Sequence, residues 1–143
     1  MNNQNKEYLQ DIRVYIEDTD CGGIVYHANY IKFMERVRSD FIRKCGYEFS
    51  TSEKQGYTLV VASLSLQFKA SAKMDDVLSV GAIVKKVTPR SFVVTQNVYR
   101  DGQLLVSGEI KIASIATSSG KLCPMPDVIV LALKKYLIQS EEK

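Results

Sequence analysis

One long helical stripe standing ahead of four alternating segments leaves this chain few ways to bury itself. From about Asn29, the residues Tyr30, Phe33, Met34, Val37 and Phe41 recur at i, i+3, i+4, i+7 and i+11, which puts them on one face of a helix. Asn29 is of the type that caps a helix start, and Cys45-Gly46 supplies a glycine where the helix should stop. Downstream, Val60, Ala62, Leu64, Leu66 and Phe68 alternate strictly, with Ser63, Ser65 and Gln67 on the other face. That is the period of a strand with one buried side. Leu78, Val80, Ala82 and Val84 form the next segment, and Thr88-Pro89-Arg90 breaks it. Phe92, Val94, Gln96 and Val98 lead to Asp101-Gly102, a strong hairpin signal, after which Leu104, Val106, Gly108, Ile110 and Ile112 follow.

Ahead of the helix, after a polar tail over residues 1–10, Ile12, Val14 and Ile16 alternate as a short strand. Pro126 opens a final short helix with Ile129, Ala132, Leu133, Tyr136 and Leu137 on one face. Strand, long helix, four strands and short helix predict α+β architecture. About five antiparallel strands bury one face under the single long helix. The other face and the sheet edges then need cover, so a homo-oligomer, dimer or tetramer, is expected. At 143 residues the whole chain, 1–143, reads as one domain.

Composition excludes several classes. The net charge of +3 comes from 19 basic and 16 acidic residues whose signs alternate along the chain, unlike the concentrated patch of a nucleic-acid binder. Met1 to Gln10 has no signal-peptide core and no apolar run suits a membrane span, so a cytoplasmic protein without stable membrane insertion is expected. Cys21, Cys45 and Cys123 are odd in number and widely spaced, and there is a single His. No disulfide framework and no metal site are expected from them. Phosphate-binding glycine loops and the G-x-S-x-G elbow are absent.

Chemistry concentrates in Val14 to Arg38, which holds acidic residues, Gly22-Gly23, His27 and a helix start within a short span. A helix start offers unpaired N–H groups and a positive dipole end, both suited to an oxyanion. The glycines let a ligand approach the backbone closely. A neighbouring carboxylate can activate water or attack a carbonyl. These are the parts needed to cleave an ester or thioester.

The run Asp18-x-Asp20-x-x-Gly23-x-Val25-x-His27-x-Asn29-Tyr30, followed by Phe33 and Glu35-Arg36, resembles the signature of the 4-hydroxybenzoyl-CoA thioesterase family. Its Tyr-His-Ala-Asn-Tyr wording is similar to that of the bacterial branch associated with the Tol-Pal system. The likeness extends to Lys69-Ala70-x-Ala72-x-x-Asp75-Asp76 and to Pro124-x-Pro126. It implies the hotdog fold, in which a curled sheet wraps a long helix, and hydrolysis of an acyl-CoA to free acid and coenzyme A. It further implies that Asp20 is the catalytic carboxylate, as general base or nucleophile, and that His27 faces the thioester with its N–H on the carbonyl. Coenzyme A, as part of the substrate rather than a cofactor, would lie along a subunit interface. The chain departs from the pattern at Ile16, where some relatives carry Tyr, and at Cys21, where a small residue is more usual.

Each residue also has a plainer reading. Asp20 alone would be a turn-capping Asp, and a lone His is usually structural. Asp18 and Glu17 read as structural. Gly23, Tyr26 and Tyr30 are candidates for substrate contacts, although Tyr30 and Met34 also fit the core. Lys69 and Arg90, with Lys73, are candidates for the nucleotide phosphates, against a default of solvated strand-end charges. The rival function is a non-catalytic module that binds acyl-CoA or acyl carrier protein. The intact Asp20 and the want of a DNA-binding segment ahead of the fold weigh towards the enzyme.

Overall fold

The computed structural model describes residues 7–50 and 52–137. Five strands form one antiparallel sheet in the order β1-β3-β4-β5-β2. They are β1 (Tyr8–Arg13), β2 (Tyr57–Phe68), β3 (Val77–Thr88), β4 (Ser91–Arg100) and β5 (Gln103–Ala116). The long helix α1 (His27–Lys44) lies between β1 and β2 in the chain, and the short helix α2 (Asp127–Lys135) follows β5. The helical stripe meets the alternating faces: Phe33, Val37 and Phe41 share a fully buried core with Leu78, Val80, Val84, Phe92, Val94 and Val98. Asp101 and Gly102 both have positive φ, 51° and 80°, as the tight hairpin turn between β4 and β5 requires.

Four details differ from the sequence reading. First, β1 begins at Tyr8, inside the stretch read as a polar tail, and ends at Arg13. Second, Ile16 does not continue that strand: it sits 73% exposed in a 3-10 turn over Ile16–Asp18, because the chain must bend here to reach α1. Third, α1 starts at His27 with Tyr26 as its N-cap, three residues before the expected Asn29 cap. Gly46, with φ 106°, does lie just past the helix end, where a left-handed residue is needed.

The fourth difference concerns β2. Its residues were expected to bury one face, yet Val60, Leu64 and Phe68 are exposed and Leu66 only half-buried. The cause is its place in the sheet: α1 packs chiefly on β3 and β1, and β2 is the far edge. A bulge between Val61 and Ser63 also breaks its register against β5. The bulge takes Val60 and Ala62 off the face of Leu64, Leu66 and Phe68: Val61, not Val60, stands opposite Ile112 as Leu64 stands opposite Ile110. Strict alternation therefore misassigned the first half of the strand, and it does not say that the face of the second half is covered.

One polar group is built into the core beneath α1. Gln96, fully buried on β4, accepts a hydrogen bond from Arg38 Nη1 at 2.9 Å and donates to the carbonyls of Met34 (2.9 Å) and Gly81 (3.3 Å). It thereby ties helix to sheet and satisfies a guanidinium that is itself only 7% exposed. Replacing Gln96 with Leu would strand that cation. A buried donor left unpaired costs about 1–3 kcal/mol, and more when charged. Gln96→Leu is therefore expected to lower stability by about 3 kcal/mol or more, read from urea unfolding at fixed protein concentration. An unchanged unfolding midpoint would contradict this role.

Candidate active site

The segment from β1 to α1 is held by a buried carboxylate. Asp18 is 5% exposed; its Oδ2 accepts the Tyr15 N–H at 2.9 Å and its Oδ1 accepts Asn29 Nδ2 at 3.0 Å. Its carbonyl accepts the Tyr26 N–H at 2.9 Å. Asn29 therefore serves as a strut to the loop rather than as a cap. The structural reading of Asp18 is the one observed.

Asp20 follows at the tip of this frame. Its main chain is closed into a tight loop, with its N–H donating to Ile24 O (2.9 Å) and its carbonyl accepting from Gly23 (3.1 Å). Gly23 has φ 85°, a conformation that other residues adopt at a cost. Asp20 Oδ1 accepts the Gly22 N–H at 2.8 Å, and a Cβ at residue 22 would lie 3.3 Å from that oxygen. The turn-capping role is thus real, yet it uses only one oxygen. Among the described residues no protein donor reaches Oδ2, and the side chain is exposed. One oxygen orients the carboxylate and the other has no protein donor among the described residues.

The helix start supplies the complementary groups. Tyr26, at φ −64° and ψ 133°, has no side-chain cap. Asn29 N–H turns back to Tyr26 O at 2.8 Å, while among the described residues the N–H groups of His27 and Ala28 meet no protein acceptor. Two adjacent unpaired donors at the positive end of a helix of 18 residues form an anion-binding arrangement.

Asp20, Ile24, Val25, His27, Tyr30, Phe68, Lys69, Ala70 and Ser71 line one cleft of about 300 Å³. Its floor is fixed by cross-links between loops. Val25 N–H donates to Ala72 O, and Ala72 N–H donates to the Tyr30 hydroxyl, both at 2.9 Å. Arg100 Nη1 meets Asp76 Oδ2 at 2.8 Å and so ties the following turn to β4. The Lys73 N–H, and then Arg100, hold the Asp76 carboxyl below the ordinary carboxylate range. Among the described residues no cluster of His, Cys, Asp and Glu is arranged to hold a metal ion.

The residues singled out in the sequence divide into three groups. Asp20, His27, Tyr30 and Lys69 come together in the cleft. Gly23 lies in the Asp20 loop, and Tyr26 packs on His27 with ring centres 4.5 Å apart. Tyr30 is 3% exposed, and its hydroxyl is occupied by the Ala72 N–H, so it belongs to the core and presents a ring to the cleft. Burial raises its pKa above the ordinary tyrosine value. Arg90 lies elsewhere, in the β3–β4 turn, where it lines a second cavity of about 420 Å³ with Ala62, Ser91, Lys111 and Leu122. Sequence reasoning missed Phe68 in the cleft, having assigned it to a buried strand face. The signal for Phe68 was its place immediately before Lys69.

Comparison with known proteins identifies the family. The model of the thioesterase-like superfamily matches residues 14–133. The acyl-CoA thioesterase YbgC of Haemophilus influenzae is 36% identical over 80% of this chain and 83% of its own length. The acyl-CoA thioester hydrolase YbgC of Escherichia coli O6:H1 is 30% identical over 87% of this chain and 93% of its own. Among solved structures, a probable thioesterase from Bartonella henselae superposes with a TM-score of 0.78 at 31% identity, covering 84% of this chain and 99% of that one. The chain belongs to the thioesterase-like superfamily and has its hotdog fold, a five-stranded antiparallel sheet with one long helix.

Proposed function

We propose that this protein hydrolyses acyl-CoA thioesters, adding water across the C–S bond to give a free acid and coenzyme A. The observation that carries the reading is one cleft lined by both Asp20, an oriented carboxylate with a free oxygen, and His27, the first residue of a helix whose first two N–H groups have no protein acceptor among the described residues. The thioester carbonyl takes the His27 and Ala28 N–H groups, and negative charge that develops on its oxygen is stabilised there. In one route Asp20 Oδ2 takes a proton from the attacking water and returns it to the departing thiolate. In the other Asp20 attacks the carbonyl and expels the thiolate, which is protonated by solvent, and water then hydrolyses the resulting mixed anhydride to free acid and carboxylate. Relatives that carry the acyl-CoA thioesterase name over most of this chain's length support the same reaction. No separate cofactor enters it. Incubating the protein with a panel of acyl-CoAs and a thiol reagent tests the reading. Release of free thiol is expected, and none from any acyl-CoA or acyl-carrier-protein substrate would leave a binding module instead.

The Tyr30 ring bounds the acyl end of this site and Lys69 serves the coenzyme side, while Gly23 acts through the Asp20 loop and Tyr26 through its packing on His27. The uncovered edge strand suggests how the nucleotide is reached. Val60 and Val61 leave the first half of β2 apolar and exposed beside an unpaired edge, the kind of edge a second copy covers. Antiparallel pairing of two β2 edges would bring the Arg90 and Lys111 cavity of one copy towards the cleft of the other, with both cations available for the phosphates. Within the superfamily, the motif wording favours the 4-hydroxybenzoyl-CoA branch and its Tol-Pal-associated members, and a cytoplasmic, single-domain enzyme fits that branch. Light scattering at micromolar concentration is expected to return a dimer or a tetramer of dimers. A monomer would remove both the assembly and the shared nucleotide site.

A further inference from the structure

Phe68 is 52% exposed, although it is a large apolar side chain. It is not loosely held. Its backbone pairs with Val106 on β5, and the next two N–H groups, of Lys69 and Ala70, both donate to Leu105 O at 2.8 and 3.1 Å. The sheet therefore sets the direction of the ring. That direction is into the cleft: the ring centre lies 5.8 Å from Tyr30 and 6.4 Å from the His27 imidazole, which it meets at 86°. Exposed apolar surface forfeits about 25 cal/mol per Å² that burial would return. A rigid ring left uncovered inside a polar-mouthed cleft is a contact surface for an apolar ligand.

Its position decides which part of the ligand it meets, given the thioesterase reading on which this step rests. In that reading the carbonyl lies at the helix start, and of the two groups flanking the thioester the acyl chain is the apolar one, since the pantetheine arm carries two amides; an apolar ring such as Phe68 therefore matches the acyl moiety. Beyond Phe68 on the same face of β2 come Leu66, half-buried, and Leu64, exposed, because side chains two apart share a face. The ring stands between the cleft and this apolar strip. We infer that Phe68 is a specificity-determining residue, the wall against which the acyl group packs and the stop that sets its upper length. Without the ring, the cleft runs into the Leu66–Leu64 strip and a longer chain has somewhere to lie.

The test compares butyryl-CoA with dodecanoyl-CoA for the wild type, Phe68→Ala and Phe68→Trp. A methylene in an apolar pocket changes the rate constant by about 10-fold or more. Phe68→Ala is thus expected to raise the dodecanoyl-to-butyryl ratio of kcat/KM by at least about tenfold. Butyryl-CoA should lose through KM more than through kcat, since a ground-state contact is removed. Phe68→Trp keeps the apolar bulk and should move the ratio the other way. Circular dichroism and light scattering accompany each variant, and Trp provides the reading should Ala fail to fold or assemble. An unchanged ratio in the folded variants, or an equal fall in kcat for both substrates, overturns the inference. If the wild type releases no thiol from either substrate or the wider panel, the thioesterase reading falls and takes this inference with it.

Discussion

Asp20→Asn is expected to keep the fold and lose nearly all turnover. The amide is isosteric, and its oxygen can still accept the Gly22 N–H that now meets Oδ1 at 2.8 Å. The loop closure through Ile24 and Gly23 uses main-chain groups alone and is untouched. What disappears is the basicity and nucleophilicity of the second oxygen. A positioned general base contributes about 10²–10⁴-fold to a rate, so kcat should fall by that order while KM changes little. The fall is the same in direction whether Asp20 activates water or attacks directly. Thiol release measured alongside circular dichroism checks it, and a folded variant retaining more than about a tenth of the wild-type kcat, outside that range, removes Asp20 from the chemistry.

How much of this was legible in the sequence depends on whether the information was local. β3, β4 and β5 were read on their correct faces because the apolar side of that alternation meets the core within the same chain. Leu78, Val80, Val94 and Val98 are fully buried under α1 and α2. β2 has an equally good alternation but lies at the sheet edge, where cover must come from outside the chain. Asn29 looked like a cap because its type is right, yet a longer-range partner, Asp18 Oδ1, uses its amide 11 residues away. Asp20 and His27 were legible because the turn and the helix start that join them are adjacent in sequence. Phe68 reaches the same cleft across 41 residues from His27, through sheet pairing that no local pattern reports. Arg90 was read as a partner of Lys69 from charge alone, and the topology separates the two: Lys69 follows β2 at the cleft, while Arg90 lies in the β3–β4 turn.

The backbone and the side chain of residue 27 are expected to behave differently, and the helix geometry makes the separation clean. His27→Ala leaves the N–H in place and removes only an imidazole that packs between Tyr26 and Phe68. It should be impaired but measurably active, and less damaged than Asp20→Asn. His27→Pro removes the N–H as well. Proline inside a helix breaks it, but residue 27 is the first helical position, where proline's fixed φ is already helical and its missing N–H is one that the helix does not use. A proline also restricts the residue before it to extended or polyproline geometry, and Tyr26 already lies there at φ −64° and ψ 133°. Fold is thus expected to survive, as circular dichroism would show, and the two variants differ mainly by one donor. Losing an oxyanion donor costs about 10²–10³ in kcat, and the Ala28 N–H remains to stop the loss from being larger. His27→Pro should fall below His27→Ala by about that factor. Equal turnover in the two folded variants would remove the His27 N–H from the oxyanion site. An Ala variant as inactive as Asp20→Asn would instead put the imidazole itself into the proton transfer.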